Sequence, residues 1–260
     1  MKKYFLFFFS LLSLSFSIKA QDYSAYQKKL FTRGTDSLPY RLLLPANYNV
    51  AKKYPLIIFL HGSGEKGTDN EKQLVHGADL FLRDSIRQKY PAIILFPQCI
   101  ESSSWSNVNT WIDTNGKEQN IFQTGGKPTV ALDLLQRLIK KLSKKYTVEK
   151  KQIYIGGLSM GGMGTFEIVY RNPGLFAAAF PMCGGADVSS AAKLTKTHWW
   201  VFHGANDDQV LPEFSQRIVN ALQKINADVK YSLYPEANHN CWDSAFAEPG
   251  LLSWLFSQHK

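Results

Sequence analysis

Three residue types that together make a nucleophile occur far apart in this chain: a serine at 159, an aspartate at 207 and a histidine at 239. A serine hydroxyl attacks a carbonyl only when a base removes its proton and an acid orients that base. Ser159 lies in "GGLSMGGMG", as Gly157-Leu158-Ser159-Met160-Gly161. Before it, "QIYIGG" reads as a strand; after it, "MGGMGTFEIVYRNP" reads as a helix ended by Asn172-Pro173. A G-x-S-x-G on a strand–turn–helix is a nucleophile elbow, whose glycines leave space for a turn too sharp for side chains. A phosphate-binding loop is excluded, because no G-x-x-x-x-G-K-[ST] is present and no lysine follows the glycines.

The base and acid are sought downstream in the order acid, then histidine. "HWWVFHGANDDQV" ends a strand with Asp207 and Asp208 behind it, and "VKYSLYPEANHN" ends another with His239. Asp207 is preferred to its neighbour Asp208. His198 and His203 precede the acid, and His203 is expected to brace the loop that holds it. A tetrahedral intermediate also needs two N–H donors. Met160 N–H, just after the serine, is one; "LIIFLHGSGEKG" offers the other at Ser63, with Gly62 as its rival. The His61 side chain is read as structural.

These residues need a scaffold that brings strand ends to one edge. Short apolar runs recur: "YRLLLP", "YPLIIFLHG", "PAIILFPQ", "QIYIGG", "AAAFPMCGG", "HWWVFHG" and "VKYSLYPE". The central ones are nearly continuous in apolar residues, as strands buried on both faces are. Helical patterns at about 71–88, 129–145, 161–171 and 212–226 alternate with them, which predicts an α/β fold with a mostly parallel sheet and helices on both faces. The first run is expected to be an antiparallel edge. The stretch from Cys99 to Lys127 reads as a long, irregular polar loop, and its Trp105 and Trp111 are candidates to stack on a sugar or aromatic acid. Only about a dozen residues join "FPMCGG" to "HWWVFHG", too few for a large lid.

Residues 1–20 have a basic start, an apolar run and a small-residue site at Ala20, the layout of a cleaved signal peptide. The domain reading is therefore a leader over 1–20 and one catalytic domain over 21–260, exported to the periplasm or beyond. The apolar run is shorter than the roughly 20 residues that span a bilayer, so no stable membrane insertion is expected after cleavage. The leader holds three of the lysines behind the formal charge of +9. Much of the remaining excess sits in "QRLIKKLSKKYTVEKK", read as the solvated face of a helix and not as a nucleic-acid site. The three cysteines, Cys99, Cys183 and Cys241, suit neither a disulfide scaffold nor zinc. One bridge is permitted, with the pair left open. No metal or cofactor is implied, and oligomeric state is not legible.

The segments "LPYRLLLPANY", "KKYPLIIFLHGSGEKGTDN", "ILFPQC", "IYIGGLSMGGMGTF", "WVFHGANDDQVLP" and "YPEANHNCWD" resemble those of α/β-hydrolase esterases of the feruloyl esterase and polyhydroxybutyrate-depolymerase-like group. Proteins of that group are often labelled predicted peptidases or phospholipase/carboxylesterases. The resemblance runs from about residue 38 to 243. It implies an α/β-hydrolase fold, with Ser159 as nucleophile, Asp207 and His239 as its partners, and ester hydrolysis as the activity. Cys241 departs from the small residue expected there. Rival readings are a peptidase of prolyl-oligopeptidase type, separable by amide against ester cleavage, and a non-catalytic binding protein on a hydrolase scaffold.

Overall fold

The computed structural model describes residues 21–112, 114 and 118–260; the expected leader over 1–20 lies outside them. Among the described residues ten strands form: β1 (Gln27–Arg33), β2 (Asp36–Leu43), β3 (Tyr54–Leu60), β4 (Ile93–Pro97), β5 (Val108–Ile112), β6 (Glu118–Phe122), β7 (Val148–Leu158), β8 (Ala178–Met182), β9 (His198–Gly204) and β10 (Val229–Tyr234). The helices are α1 (Asp84–Lys89), α2 (Val130–Lys145), α3 (Met160–Arg171), α4 (Ala191–Leu194), α5 (Pro212–Lys224), α6 (Cys241–Ala247) and α7 (Leu251–Ser257). Eight strands make one sheet in the order β1-β2-β4-β3-β7-β8-β9-β10. β1/β2 and β2/β4 pair antiparallel, and every later pair is parallel. This is the expected α/β-hydrolase arrangement.

β3, β4 and β8 are buried along their whole length, which explains their uninterrupted apolar sequences. One core lies beneath α2, α3 and α5, and includes Leu135, Phe166 and Ile218. The other lies beneath α6 and α7 on the opposite face, and includes Phe59, Ala245 and Leu255. α2 shows why its sequence is helical. Thr129 caps its start by accepting from Leu132 N–H at 3.2 Å. Leu132, Leu135, Leu138, Ile139 and Leu142 form its buried stripe, and Lys144 and Lys145 end it where cations are favoured.

Three expectations need correction. "YRLLLP" lies in β2, second from the edge; the edge is β1, "QKKLFTR", whose exposed side chains give it no apolar run. The helix expected over 71–88 is two short 3₁₀ turns and the six-residue α1. Gly77, at φ +79°, breaks the pattern, and the Phe246 ring stands 2.2 Å from where a Cβ on Gly77 would be. The 99–127 stretch is not irregular throughout, because β5 and β6 pair antiparallel as a separate two-stranded hairpin. That hairpin, not a helical lid, is the insertion near the sheet's C-terminal edge.

Candidate active site

β7 ends at Leu158 and α3 begins at Met160, leaving Ser159 alone on the turn with φ 54° and ψ −120°. Such angles are costly for a residue with a side chain and persist only where the surroundings enforce them. Here Ser159 N–H donates to the Met182 carbonyl at 2.9 Å, and the Ser159 carbonyl accepts from Met163 N–H at 3.0 Å. The flanking glycines are obligatory. A Cβ on Gly161 would stand 2.1 Å from the Leu60 carbonyl oxygen, and one on Gly157 would stand 2.4 Å from the Gly161 oxygen.

β9 and β10 bring the other two residues to the same edge. His239 Nε2 accepts from Ser159 Oγ at 3.0 Å. On its far side, His239 Nδ1–H donates to Asp207 Oδ2 at 2.8 Å. Asp207 is fully buried and has other donors: Gln209 and Val210 N–H reach Oδ1 at 3.0 and 2.9 Å, and His203 Nε2 lies 3.3 Å from Oδ2. Burial alone would raise the Asp207 carboxyl, but the bonds from His203, His239 and Val210 outweigh it and hold the carboxyl well below the usual carboxylate range. It is therefore an anion at any pH near neutrality. His203 braces the acid loop as the sequence suggests, with its ring nitrogens 2.7 Å from Ser215 Oγ and 2.8 Å from the Val210 carbonyl. Asp208 is exposed and not part of this constellation.

The loop after β3 lies directly across from the elbow. A Cβ on Gly62 would come within 2.8 Å of Leu158 Cδ1 and 3.6 Å of Ser159 Cβ. His61 holds that loop: its Nδ1–H donates to the Gly62 carbonyl at 2.6 Å, and its Nε2 accepts from Cys99 N–H at 2.9 Å. Burial keeps the imidazole neutral, with its pKa held down at about 4. The Gly62 carbonyl is thus turned toward the imidazole. Ser63 begins a 3₁₀ turn and Met160 begins α3, so the N–H groups of both are first-turn donors without partners inside their helices.

The two tryptophans separate. Trp105 is fully buried, packed edge-on against His61 at 5.4 Å between ring centroids and against Gly164. It has no face left for a ligand, so its expected stacking role is withdrawn. Trp111 is half-exposed on β5. The inner side of the hairpin, Val108 and Phe122, packs on Met163, Val210 and Phe214, so the hairpin rests on the starts of α3 and α5.

Several neighbours of the site carry no sequence signal. Trp242 stands edge-on to His239 at 5.6 Å, and His76 packs at a tilt against Trp242 at 5.0 Å with Glu65 Oε1 3.8 Å from its Nε2. Cys183 and Cys241 form a disulfide. It joins the residue after β8 to the first turn of α6, two residues past His239, and the Cys183 sulfur lies within 4.8 Å of the Asp207–His239 pair. Those three groups have metal-ligand types, but the sulfur is committed to the bridge and the carboxylate to two imidazoles. Cys99 is free and buried, and burial pushes its thiol up to about 12.

Residues 48–248 match the model of the phospholipase/carboxylesterase family. A crystal structure of a thermostable esterase superposes with a TM-score of 0.82 at 34% identity, covering 91% of this chain and 64% of that one. A ferulic acid esterase from Anaeromyces mucronatus, solved with ferulic acid, shares the fold at a TM-score of 0.64 and 16% identity, with 90% of each chain covered. A bifunctional acetylxylan esterase/xylanase from Neocallimastix patriciarum is 24% identical over 161 residues, which are 62% of this chain but 20% of that protein. The chain thus spans under two thirds of the esterase and a fifth of the bifunctional enzyme. The chain belongs to the phospholipase/carboxylesterase family and has an α/β-hydrolase fold.

Proposed function

We propose that this chain is an exported serine carboxylesterase working through Ser159, His239 and Asp207, with esters carried on plant polysaccharide, acetyl or feruloyl, as substrates. The carrying observation is the unbroken relay from Ser159 Oγ to His239 Nε2 and from His239 Nδ1 to Asp207. His239 takes the Ser159 proton as Oγ attacks the ester carbonyl, and Asp207 stabilises the imidazolium. Ser63 and Met160 N–H groups receive the oxyanion, a contribution of about 2.7–4 kcal/mol per donor in the transition state. His239 then protonates the departing alcohol. In the second half His239 deprotonates water, which attacks the acyl-enzyme; the acid leaves and Ser159 Oγ regains its proton.

Support for the substrate class comes from two similar proteins, one named for acetylxylan and one solved with ferulic acid. Support for export comes from the leader-like sequence of residues 1–20 and from the Cys183–Cys241 bridge, which persists in an oxidising compartment. Among the described residues no helix is long and apolar enough to cross a membrane. The test is a panel of p-nitrophenyl acetate, methyl ferulate, acetylated xylan, a long-chain p-nitrophenyl ester and a peptide amide, run with wild type and Ser159→Ala. Serine-dependent turnover of ferulate or xylan acetate is expected. Turnover confined to the long-chain ester or the amide refutes the substrate reading. N-terminal sequencing of exported protein, expected to begin at Gln21, tests the leader.

A further inference from the structure

Beside the loop that follows β3 lies a cleft of about 730 Å³, bounded by Lys66 at one end and by the β5–β6 hairpin at the other. Its walls are unlike an acyl pocket. Ser102, Ser103, Ser104, Asn107, Asn109 and Gln123 contribute hydroxyl and amide groups, and the charged residues at its rim include both signs, Lys66 and Lys127 with Glu101. Apolar burial is what binds a fatty chain, and the apolar side chains that line this cleft are limited to Val108 and Val130. A neutral ligand rich in hydroxyls can exchange its water hydrogen bonds for these groups one for one.

We propose that this cleft binds the neutral sugar chain that carries the ester, a reading that rests on the esterase assignment above and gives its polymer a place to lie. Four observations carry it. The wall is pre-organised: Thr129 Oγ1 donates to the Ser104 carbonyl at 2.6 Å, Ser103 Oγ accepts from Ala131 N–H at 3.1 Å, and Asn107 Nδ2 donates to the Lys127 carbonyl at 2.8 Å. Little side-chain entropy is then lost on binding. Ser106 Oγ is buried on this wall, at 4% exposure of its residue, and has no hydrogen-bond partner among the described residues. An orphaned buried hydroxyl is costly unless a ligand or water completes it.

An aromatic platform is also present. Alternate residues of a strand share a face, so Trp111 stands on the same face of β5 as Asn109, just beyond the residues that line the cleft, and is 49% exposed. The apolar face of a pyranose ring covers an indole while its hydroxyls reach neighbouring amides, and an amphipathic ring suits this use. Finally, the cleft adjoins the helix that starts at the elbow. Ser106, Asn107, Val108, Gln123 and Thr124 line both this cleft and a small void that is also lined by Met163, one turn along α3 from Ser159.

The test uses the full chain carrying Ser159→Ala, so that binding is read without turnover. Calorimetry with xylohexaose is expected to give saturable binding. Trp111→Ala and Asn109→Ala, both at exposed positions, are each expected to weaken it by about tenfold, a loss of about 1.4 kcal/mol, with the thermal midpoint held. Saturable binding that neither substitution weakens places the sugar elsewhere and overturns the proposal. So does the absence of binding at millimolar sugar in a chain whose Ser159 parent hydrolyses p-nitrophenyl acetate. Failure of that parent to hydrolyse any ester is a separate result, which removes the esterase reading instead.

Discussion

Acidification from pH 7 to 4 is expected to cost this protein stability through one buried residue, His61. Its imidazole is neutral in the fold, held at about 4 by burial, against 6.5 as the ordinary value. Between those values the unfolded chain binds a proton that the folded chain refuses. Stability therefore rises with pH across that window and is lost as pH falls through it. With 1.36 kcal/mol per pKa unit the full loss is about 3 kcal/mol, complete near pH 4 and flat below it. Other groups titrate too, so the measurement is a difference between wild type and His61→Gln. Glutamine stays neutral and offers an amide oxygen to Cys99 N–H. Urea midpoints taken every half unit from pH 7.5 to 3.5 give both curves. The variant starts less stable and its deficit shrinks by about 3 kcal/mol on the way to pH 4. A deficit independent of pH would refute the reasoning, because it would mean that His61 is protonated alike in both states. Below pH 4 the Asp207 carboxyl takes over the acid loss, and that part is common to both proteins.

Asp207→Asn keeps the size of the side chain but removes the anion that orients His239, so kcat should fall by about 10⁴ with KM little changed, as read by p-nitrophenyl acetate kinetics. Gly161→Ala forces a Cβ to within 2.1 Å of the Leu60 carbonyl; soluble protein with wild-type kcat would contradict the account of the elbow. The Cys183–Cys241 bridge closes a separation of 58 residues. Cys183→Ala with Cys241→Ala should cost about 4 kcal/mol by loop entropy and lower kcat as well, measured by denaturation and turnover on one preparation. Cys99, raised to about 12 by burial, should react with a disulfide reagent only after denaturant is added.

What could be read from the chain followed from how each element is solvated. β3, β4 and β8 are buried on both sides and announce themselves as apolar runs, whereas β1 is an edge whose exposed lysines look like a loop. Ser159, Asp207 and His239 were legible because each follows a recognisable strand end, and chain order did the rest. Trp105 and Trp111 looked alike in sequence. Only packing separates them, since one fills the space above Gly164 and the other lies on the hairpin. The wall of Glu65, His76 and Trp242 is assembled from three distant segments, and no local spacing foreshadows it. The hairpin itself was hidden because its strands are short and polar, and its fold depends on what lies beneath it.

β8 lends no side chain to the relay, yet it sits between the strand that delivers the serine and the strand that delivers the acid. Its last residue, Met182, holds Ser159 through the backbone, and the next, Cys183, holds the segment after His239 through sulfur. Nucleophile and base are thus referenced to two consecutive residues at one strand's end, the last of β8 and the one after it. A displacement of β8 carries both along together, and the 3.0 Å gap between them survives it. Thermal motion or a distant core substitution would shift where the pair sits sooner than how far apart its members are.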